Sequence, residues 1–343
     1  MYNLLNTNAY IKAISYFLPE KVYTNSDFYK NFPESHQNKD NLNKIGVQKR
    51  HIVKSNETAS DLAVKSAELF FKEHSIKTEE IDFLLFCAQE FDHYTPTTAC
   101  IIQDRLNLPK TCGALDYNLG CSGFVYGLSL AKGLIESVGL KNVLLITSST
   151  LTKKFHPKDK SSKFVFGDGA ATTLISTREL PNGIGKFVFG TDGSGKNKII
   201  VKDGGARNAI TETSIKDFTD EYGNTTNDSS FYMNGTSVFI FGLKTVPKII
   251  MELLEKENKT IEDIDLFIFH QANLFLIDSI RKKLKITEQK TFNFMENVGN
   301  TVSSSIPIAL YEAIKCGKAK KGDTILVVGF GVGLSWAATT IKL

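Results

Sequence analysis

Three side chains in this sequence combine a reactive or hydrogen-bonding type with a suggestive setting: Cys121, His270 and Asn300. Cys121 lies in Asn118-Leu119-Gly120-Cys121-Ser122-Gly123-Phe124, entered by a strand-like run at 113–117 and left by a helix-like run at 124–137. At a strand-to-helix turn the free backbone N–H groups and the helix dipole favour negative charge. A thiol there can become a thiolate near neutral pH and attack an electrophile. On position alone, a small buried packing residue is an equal reading, because most free cysteines are inert. His270 by itself reads as a satisfied core histidine, and Asn300, following Gly299, as a turn residue. The chemistry therefore depends on whether the surrounding elements bring the three together.

Those elements can be read in chain order. Residues 11–17 read as a strand, closed by a turn at Leu18-Pro19, and 25–46 as polar and irregular. Residues 58–73 have helical periodicity, with Leu62, Ala63, Ala67, Leu69, Phe70 and Phe71 mainly on one side and Thr58 or Ser60 as a cap. The almost continuous apolar run 81–87 fits a strand buried on both faces, as does 143–147. Residues 97–106 read as a helix, and Gly167-Asp168-Gly169-Ala170 as a tight turn feeding a strand. Residues 191–230 are rich in Gly, Asp, Asn, Thr and Ser and read as a long excursion with a short hairpin, of the kind that is usually functional or mobile. Met233-Asn234-Gly235 opens a helix in which Pro247 is expected to cause a kink or a restart. Alternating runs of strand and helix length predict an α/β fold with mostly parallel sheets.

The second half echoes the first. Glu80-Ile81-Asp82-Phe83-Leu84-Leu85-Phe86-Cys87 matches Asp263-Ile264-Asp265-Leu266-Phe267-Ile268-Phe269-His270, and Asn118-Leu119-Gly120-Cys121 matches Asn297-Val298-Gly299-Asn300. Residues 142–148 match 323–329, in the same order. In a pseudo-symmetric pair of halves, equivalent turns meet near the local two-fold axis. Cys121 and Asn300 are then expected to face each other, with His270 at the end of a neighbouring strand, which favours the catalytic reading of all three.

Composition narrows the class. The chain has 343 residues, 42% hydrophobic and 23% charged, as an ordinary globular protein does. A net charge of +4 argues against bulk nucleic-acid binding. No apolar run is long enough to span a bilayer, and residues 1–10 lack a signal-peptide pattern, so a cytoplasmic location is expected. Five cysteines without paired close spacing suggest free thiols, neither a disulfide framework nor a zinc site.

With these motifs in view, the chain resembles the β-ketoacyl-acyl-carrier-protein synthase III family over almost its whole length. The resemblance is carried by Gly120-Cys121-Ser122-Gly123-Phe124, Phe166-Gly167-Asp168-Gly169-Ala170, His270-Gln271-Ala272-Asn273 and Gly299-Asn300-Thr301-Val302-Ser303-Ser304-Ser305-Ile306-Pro307. It is completed by the closing glycine loop Gly329-Phe330-Gly331-Val332-Gly333-Leu334-Ser335-Trp336. It implies a thiolase fold, α/β, with two pseudo-symmetric halves (1–180 carrying the cysteine, 181–343 carrying the histidine and asparagine) in a layered αβαβα core. It further implies a homodimer with no cofactor and no metal. Cys121 would take an acyl group from a thioester, on acyl carrier protein or on coenzyme A, with the backbone N–H groups of Cys121 and Val332 as oxyanion hole. Malonyl on acyl carrier protein would then lose carbon dioxide, and His270 and Asn300 would stabilise the resulting enolate. Thr95, Met233, Phe239 and Asn273 are assigned to substrate binding, Asn273 either positioning a pantetheine arm or only capping a helix. The glycines of the remaining motifs are expected to permit tight turns.

The sequence departs from the family pattern in three places, and Glu90 adds a complication. Asp40 and Lys160 stand where the family clamps adenine between Trp and Arg, which points to a carrier-protein acyl donor. Phe275 replaces an Arg associated with carrier docking, leaving Arg281-Lys282-Lys283 as a docking candidate or a solvated face. Thr95 replaces a Phe that limits the partner subunit's pocket, which predicts tolerance of medium or longer chains. Glu90 lies near where hydroxymethylglutaryl-coenzyme A synthase uses a general base. It is expected to be either an acid/base group or a surface carboxylate. The rivals are a thiolase-fold acyltransferase, a non-decarboxylating condensing enzyme joining two acyl or β-ketoacyl thioesters, and a non-catalytic partner subunit.

Overall fold

The computed structural model describes residues 8–178, 183–220 and 223–343. The expected boundary between halves at 180/181, and most of the polar start at 1–10, lie outside them. The first half contains β1 (Asn8–Phe17), α1 (Ala59–His74), β2 (Phe83–Ala88), α2 (Thr98–Arg105), β3 (Gly113–Asn118), α3 (Gly123–Glu136), β4 (Asn142–Ser149) and β5 (Gly169–Arg178). The second contains β6 (Ile184–Thr191), α4 (Gly235–Glu257), β7 (Leu266–Phe269), α5 (Leu274–Lys283), α6 (Ser305–Lys315), β8 (Thr324–Gly331) and β9 (Ser335–Lys342).

The sheets run in the same order. In the first it is β1-β5-β4-β2-β3, with β4, β2 and β3 parallel and the other pairings antiparallel. In the second it is β6-β9-β8-β7, with only the β8–β7 pairing parallel, so four of these seven pairings are antiparallel and the expected mostly parallel sheets are in fact mixed. Where β3 would stand, Thr291 makes a single parallel bridge to Phe267. The sequence echo is thus an echo of topology.

Side-chain alternation along each strand builds the layers. Leu84 and Phe86 of β2 pack outward on α1 and α2, whereas Leu85 packs inward. Phe267 and Phe269 of β7 pack outward with α4 and α5, and Leu266 and Ile268 inward. The inward faces share one core with α3 (Val125, Leu128, Ala131) and α6 (Ile306, Ala309, Leu310). The result is αβαβα, with α3 and α6 buried between two sheets.

Local signals account for the helix ends. Thr58 forms a capping box with Asp61 at the start of α1, and the Asn234 side chain accepts from the Ser237 N–H at 2.8 Å to start α4. α4 continues through Pro247 as one helix, so the expected restart does not occur, and neighbouring Val246 and Ile250 are buried against the second sheet. The stretch 25–46 also differs from its irregular reading. It forms short helices at Asn25–Asn31 and Lys39–Asn43, and Phe28, Tyr29 and Phe32 bury against Phe164. The aromatic spacing was the signal, masked by the surrounding Asn and Lys. In the 191–230 excursion, Ile199–Val201 pairs with Phe231–Met233, and Phe218–Thr219 with Thr225–Thr226. Among the described residues no helix is long and apolar enough to cross a membrane.

Candidate active site

Cys121 sits where β3 turns into α3, two residues before the helix begins, and is 9% exposed. The loop between β8 and β9 closes over it. A Cβ on Gly331 would lie 2.5 Å from the Cys121 sulfur, so only glycine fits there. The loop is tied to the cysteine turn by hydroxyls: Ser335 Oγ donates to the Val332 carbonyl at 2.8 Å and lies 2.8 Å from Ser122 Oγ. This holds the Val332 peptide with its N–H toward the cysteine sulfur. Burial nevertheless pushes the thiol up to about 11, against the opposing backbone N–H groups of Val332 and Cys121. The expectation of a thiolate near neutral pH is therefore corrected: desolvation outweighs the turn's N–H groups.

His270 extends β7, its N–H donating to the Val328 carbonyl of β8 at 2.8 Å. Its Nδ1 lies 2.8 Å from Ser305 Oγ on the first residue of α6, and Phe330 packs on the ring edge-on at 5.8 Å. Burial drives the imidazole down to about 3, with only the backbone of Val302 working the other way, so the ring is neutral. Asn300 is fixed by its neighbours. Gly299 takes φ +72°, and a Cβ there would lie 2.9 Å from the Val165 carbonyl. The Asn300 N–H donates to that carbonyl at 2.9 Å, and its own carbonyl accepts from Gly167 at 3.1 Å. The Asn300 Oδ1 accepts from the Val302 N–H at 2.9 Å, leaving Nδ2 with one long contact, 3.5 Å, to the Ala272 carbonyl. The amide orientation is thereby set, with donor capacity to spare.

Cys121, His270 and Asn300 line one pocket with about 680 Å³ of empty space, part of it open to solvent. Val332, Met233, Phe239 and Asn273 line it as well, with Phe231, Val238 and Leu276 among its apolar walls. Asn273 caps α5, its Oδ1 accepting from Leu276 at 2.8 Å, and stands on the pocket wall, so its two expected roles coexist. Sequence reasoning missed Gln89, which lines the pocket beside Gly120, and Ser305. Ser305 closes the Ser run five residues after Asn300, and that spacing was its only signal.

Other expected residues lie elsewhere. Thr95 is exposed and outside the pocket lining of this chain. Arg281 pairs with Asp278 at 3.2 Å, Lys283 donates to the Leu243 carbonyl at 3.0 Å, and Lys282 is exposed. Phe275, 52% exposed, stacks on pocket-lining Phe239 at 5.3 Å. Lys160 pairs with Glu34 at 3.2 Å. Glu90 is half-buried rather than freely exposed. Its carboxylate accepts from the Thr150 N–H at 3.2 Å and from Ser149 Oγ at 3.4 Å, and it does not line the pocket. Burial, helped by nearby Asp168, pushes it up to about 7. Asp168 itself is pushed up to about 6 by burial. It accepts from the N–H groups of Val53 and Thr152, so the Gly-Asp-Gly-Ala turn is tied down from within.

A repeated five-layer core whose two central helices open on a cysteine-bearing pocket is the architecture of thiolase-fold condensing enzymes. Comparison with known proteins narrows the class. Residues 115–193 match the family model for 3-oxoacyl-[acyl-carrier-protein] synthase III, and residues 254–343 that for its C-terminal part. The β-ketoacyl-[acyl-carrier-protein] synthase III of Clostridium perfringens is 39% identical over 300 residues, 88% of this chain and 89% of the relative. The Fusobacterium nucleatum protein of the same name is 34% identical over 97% of this chain and 98% of its own. A crystal structure of a 3-oxoacyl-(acyl-carrier-protein) synthase III superimposes with a TM-score of 0.95 at 43% identity, covering 98% of this chain and 100% of that one. The Thermus thermophilus structure gives 0.84 at 31% identity, covering 97% and 99%. The chain belongs to the β-ketoacyl-acyl-carrier-protein synthase III family of condensing acyltransferases.

Proposed function

We propose that the protein loads an acyl group on Cys121 and condenses it with malonyl-acyl carrier protein to a β-ketoacyl thioester, in fatty acid or related lipid or polyketide synthesis. In the first half-reaction the cysteine sulfur attacks the thioester carbonyl. The oxygen takes up negative charge against the N–H groups of Cys121 and Val332, and the donor leaves as a thiol carrying the cysteine's proton. In the second, the malonyl carboxylate leaves as carbon dioxide and its electron pair forms an enolate. His270 Nε2 and Asn300 Nδ2 donate to the enolate oxygen. The carbanion attacks the acyl carbonyl, and the cysteine sulfur leaves and is reprotonated by water. The observation that carries this reading is the fixed Asn300 amide, whose oxygen is occupied by Val302 and whose nitrogen is left for an oxyanion.

Among the described residues of this chain no carboxylate lines the pocket, and Glu90 is instead bonded to Thr150 and Ser149, which supports decarboxylation over its rivals. The lost adenine clamp, with Lys160 engaged by Glu34, supports acyl carrier protein as the primer donor. Exposed Lys282 and Lys283 offer the acidic carrier a docking surface. The open edge of β3, with Leu115 exposed, supports a homodimer in which Thr95 reaches the second copy's pocket. The test is the release of labelled carbon dioxide from malonyl-acyl carrier protein, with intact mass following Cys121. Acylation followed by stoichiometric release is expected. Acylation with transfer to a hydroxyl or amine and no release overturns the reading.

A further inference from the structure

The proposed second half-reaction requires a hydrogen on His270 Nε2. A neutral imidazole carries only one N–H, and the partner of the other nitrogen decides where it sits. Here that partner is Ser305 Oγ, 2.8 Å from Nδ1 and on a residue 3% exposed. A hydroxyl has one hydrogen to give and two lone pairs. One lone pair of Ser305 accepts from the Gln271 N–H at 3.3 Å. If Nδ1 also donated to Ser305, the hydroxyl would accept twice, and its own hydrogen would have no acceptor among the described residues. A buried donor without a partner is costly and rare. The opposite direction, Oγ–H to Nδ1, satisfies every group. The Val302 backbone favours the protonated ring, and among the described residues no hydrogen bond joins it to the Ser305 hydroxyl.

We propose that Ser305 is a positioning residue that donates its hydroxyl hydrogen to His270 Nδ1 and so holds the Nε2–H tautomer aimed at the enolate. His270 is then a hydrogen-bond donor in the resting enzyme and no base toward Cys121. This inference deepens the proposed function and rests on it. It predicts a split between the half-reactions: acylation is insensitive to Ser305, decarboxylation is not.

The test reads the tautomer directly. In histidine-15N-labelled full-length protein, with His270 assigned by its loss in His270→Asn, Nδ1 is expected to resonate as a pyridine-type nitrogen and Nε2 as a pyrrole-type one. Ser305→Ala removes that donor to Nδ1 and should let the Nδ1–H tautomer populate. It should lower carbon dioxide release about 10- to 100-fold while changing burst acylation less than about threefold. Ser305→Thr, which keeps the hydroxyl, should keep both the spectrum and the release. A pyridine-type Nε2 in the wild type overturns the proposal without any variant. So does Ser305→Ala with release within about threefold of wild type, or an equal fall in both half-reactions. If the wild type released no carbon dioxide at all, the functional reading would fail, and the spectrum would still decide the tautomer.

Discussion

Alkylation of Cys121 as a function of pH tests the electrostatics of the site most directly. Burial pushes the thiol from 9.0 to about 11. That corresponds to a thiolate held about 3 kcal/mol less stable than in water. The start of α3 lies two residues away, and a helix N-terminus returns up to about 2 kcal/mol in a partly buried geometry. Desolvation therefore wins, and the thiol stays above its ordinary value. At pH 7 the thiolate is on the order of one molecule in 1,000 to one in 10,000. The assay is iodoacetamide modification followed by peptide mass mapping, with Cys121→Ser as control. Mapping is needed because Cys100 and Cys316 are exposed and will react. The rate at Cys121 should rise about tenfold per pH unit from 7 to 9, since only the thiolate reacts. A plateau reached below pH 8 would show a thiolate already formed and would refute the reasoning.

Three further expectations follow from the same geometry. Asn300→Ala removes one enolate donor and should lower carbon dioxide release about 10²- to 10³-fold while Cys121 still acylates in a single burst. Gly331→Ala places a Cβ 2.5 Å from the cysteine sulfur and should abolish acylation, with an unchanged far-ultraviolet circular dichroism spectrum showing that the fold survives. Glu90→Gln should leave turnover intact and raise the melting temperature at pH 8. The folded carboxyl sits near 7 against an ordinary value of 4.5, so the native state binds the extra proton between those values. Stability is then fully present below pH 4.5 and lost as pH rises through about 7. The neutral amide avoids a loss of order 1–3 kcal/mol at pH 8, and the two melting curves should converge near pH 4.5.

Much of the fold was legible because it rests on local physics. Continuous apolar runs mark strands buried on both faces, as 81–87 and 143–147 did for β2 and β4. Thr58 and Asn234 cap helices by bonding within three residues. The echo between Asp82-Phe83 and Asp265-Leu266 announced the repeated topology, because similar strand, turn and helix signals in the same order build the same sheet. By contrast, the helices within 25–46 were hidden because Phe28, Tyr29 and Phe32 gain their stability from Phe164, far away in the chain. That α4 runs on past Pro247 without a restart depends on packing against the second sheet, a tertiary term that no local rule contains.

For the site, residue types and motif spacing alone selected Cys121, His270 and Asn300 and the chemistry they imply. Spacing cannot say which way a side chain faces or how dry it is, and only the tertiary structure decided that. Cys87 and Cys112 are as buried as Cys121 but do not line the pocket, a difference created by the glycine loop folding over one turn and not the others. Desolvation, which depends on every neighbour at once, holds Cys121 as a thiol, keeps His270 neutral and raises Glu90 away from the reaction. The contact of Ser305 with His270 joins the end of β7 to the start of α6, a pairing that exists only once both sheets have closed on the two central helices.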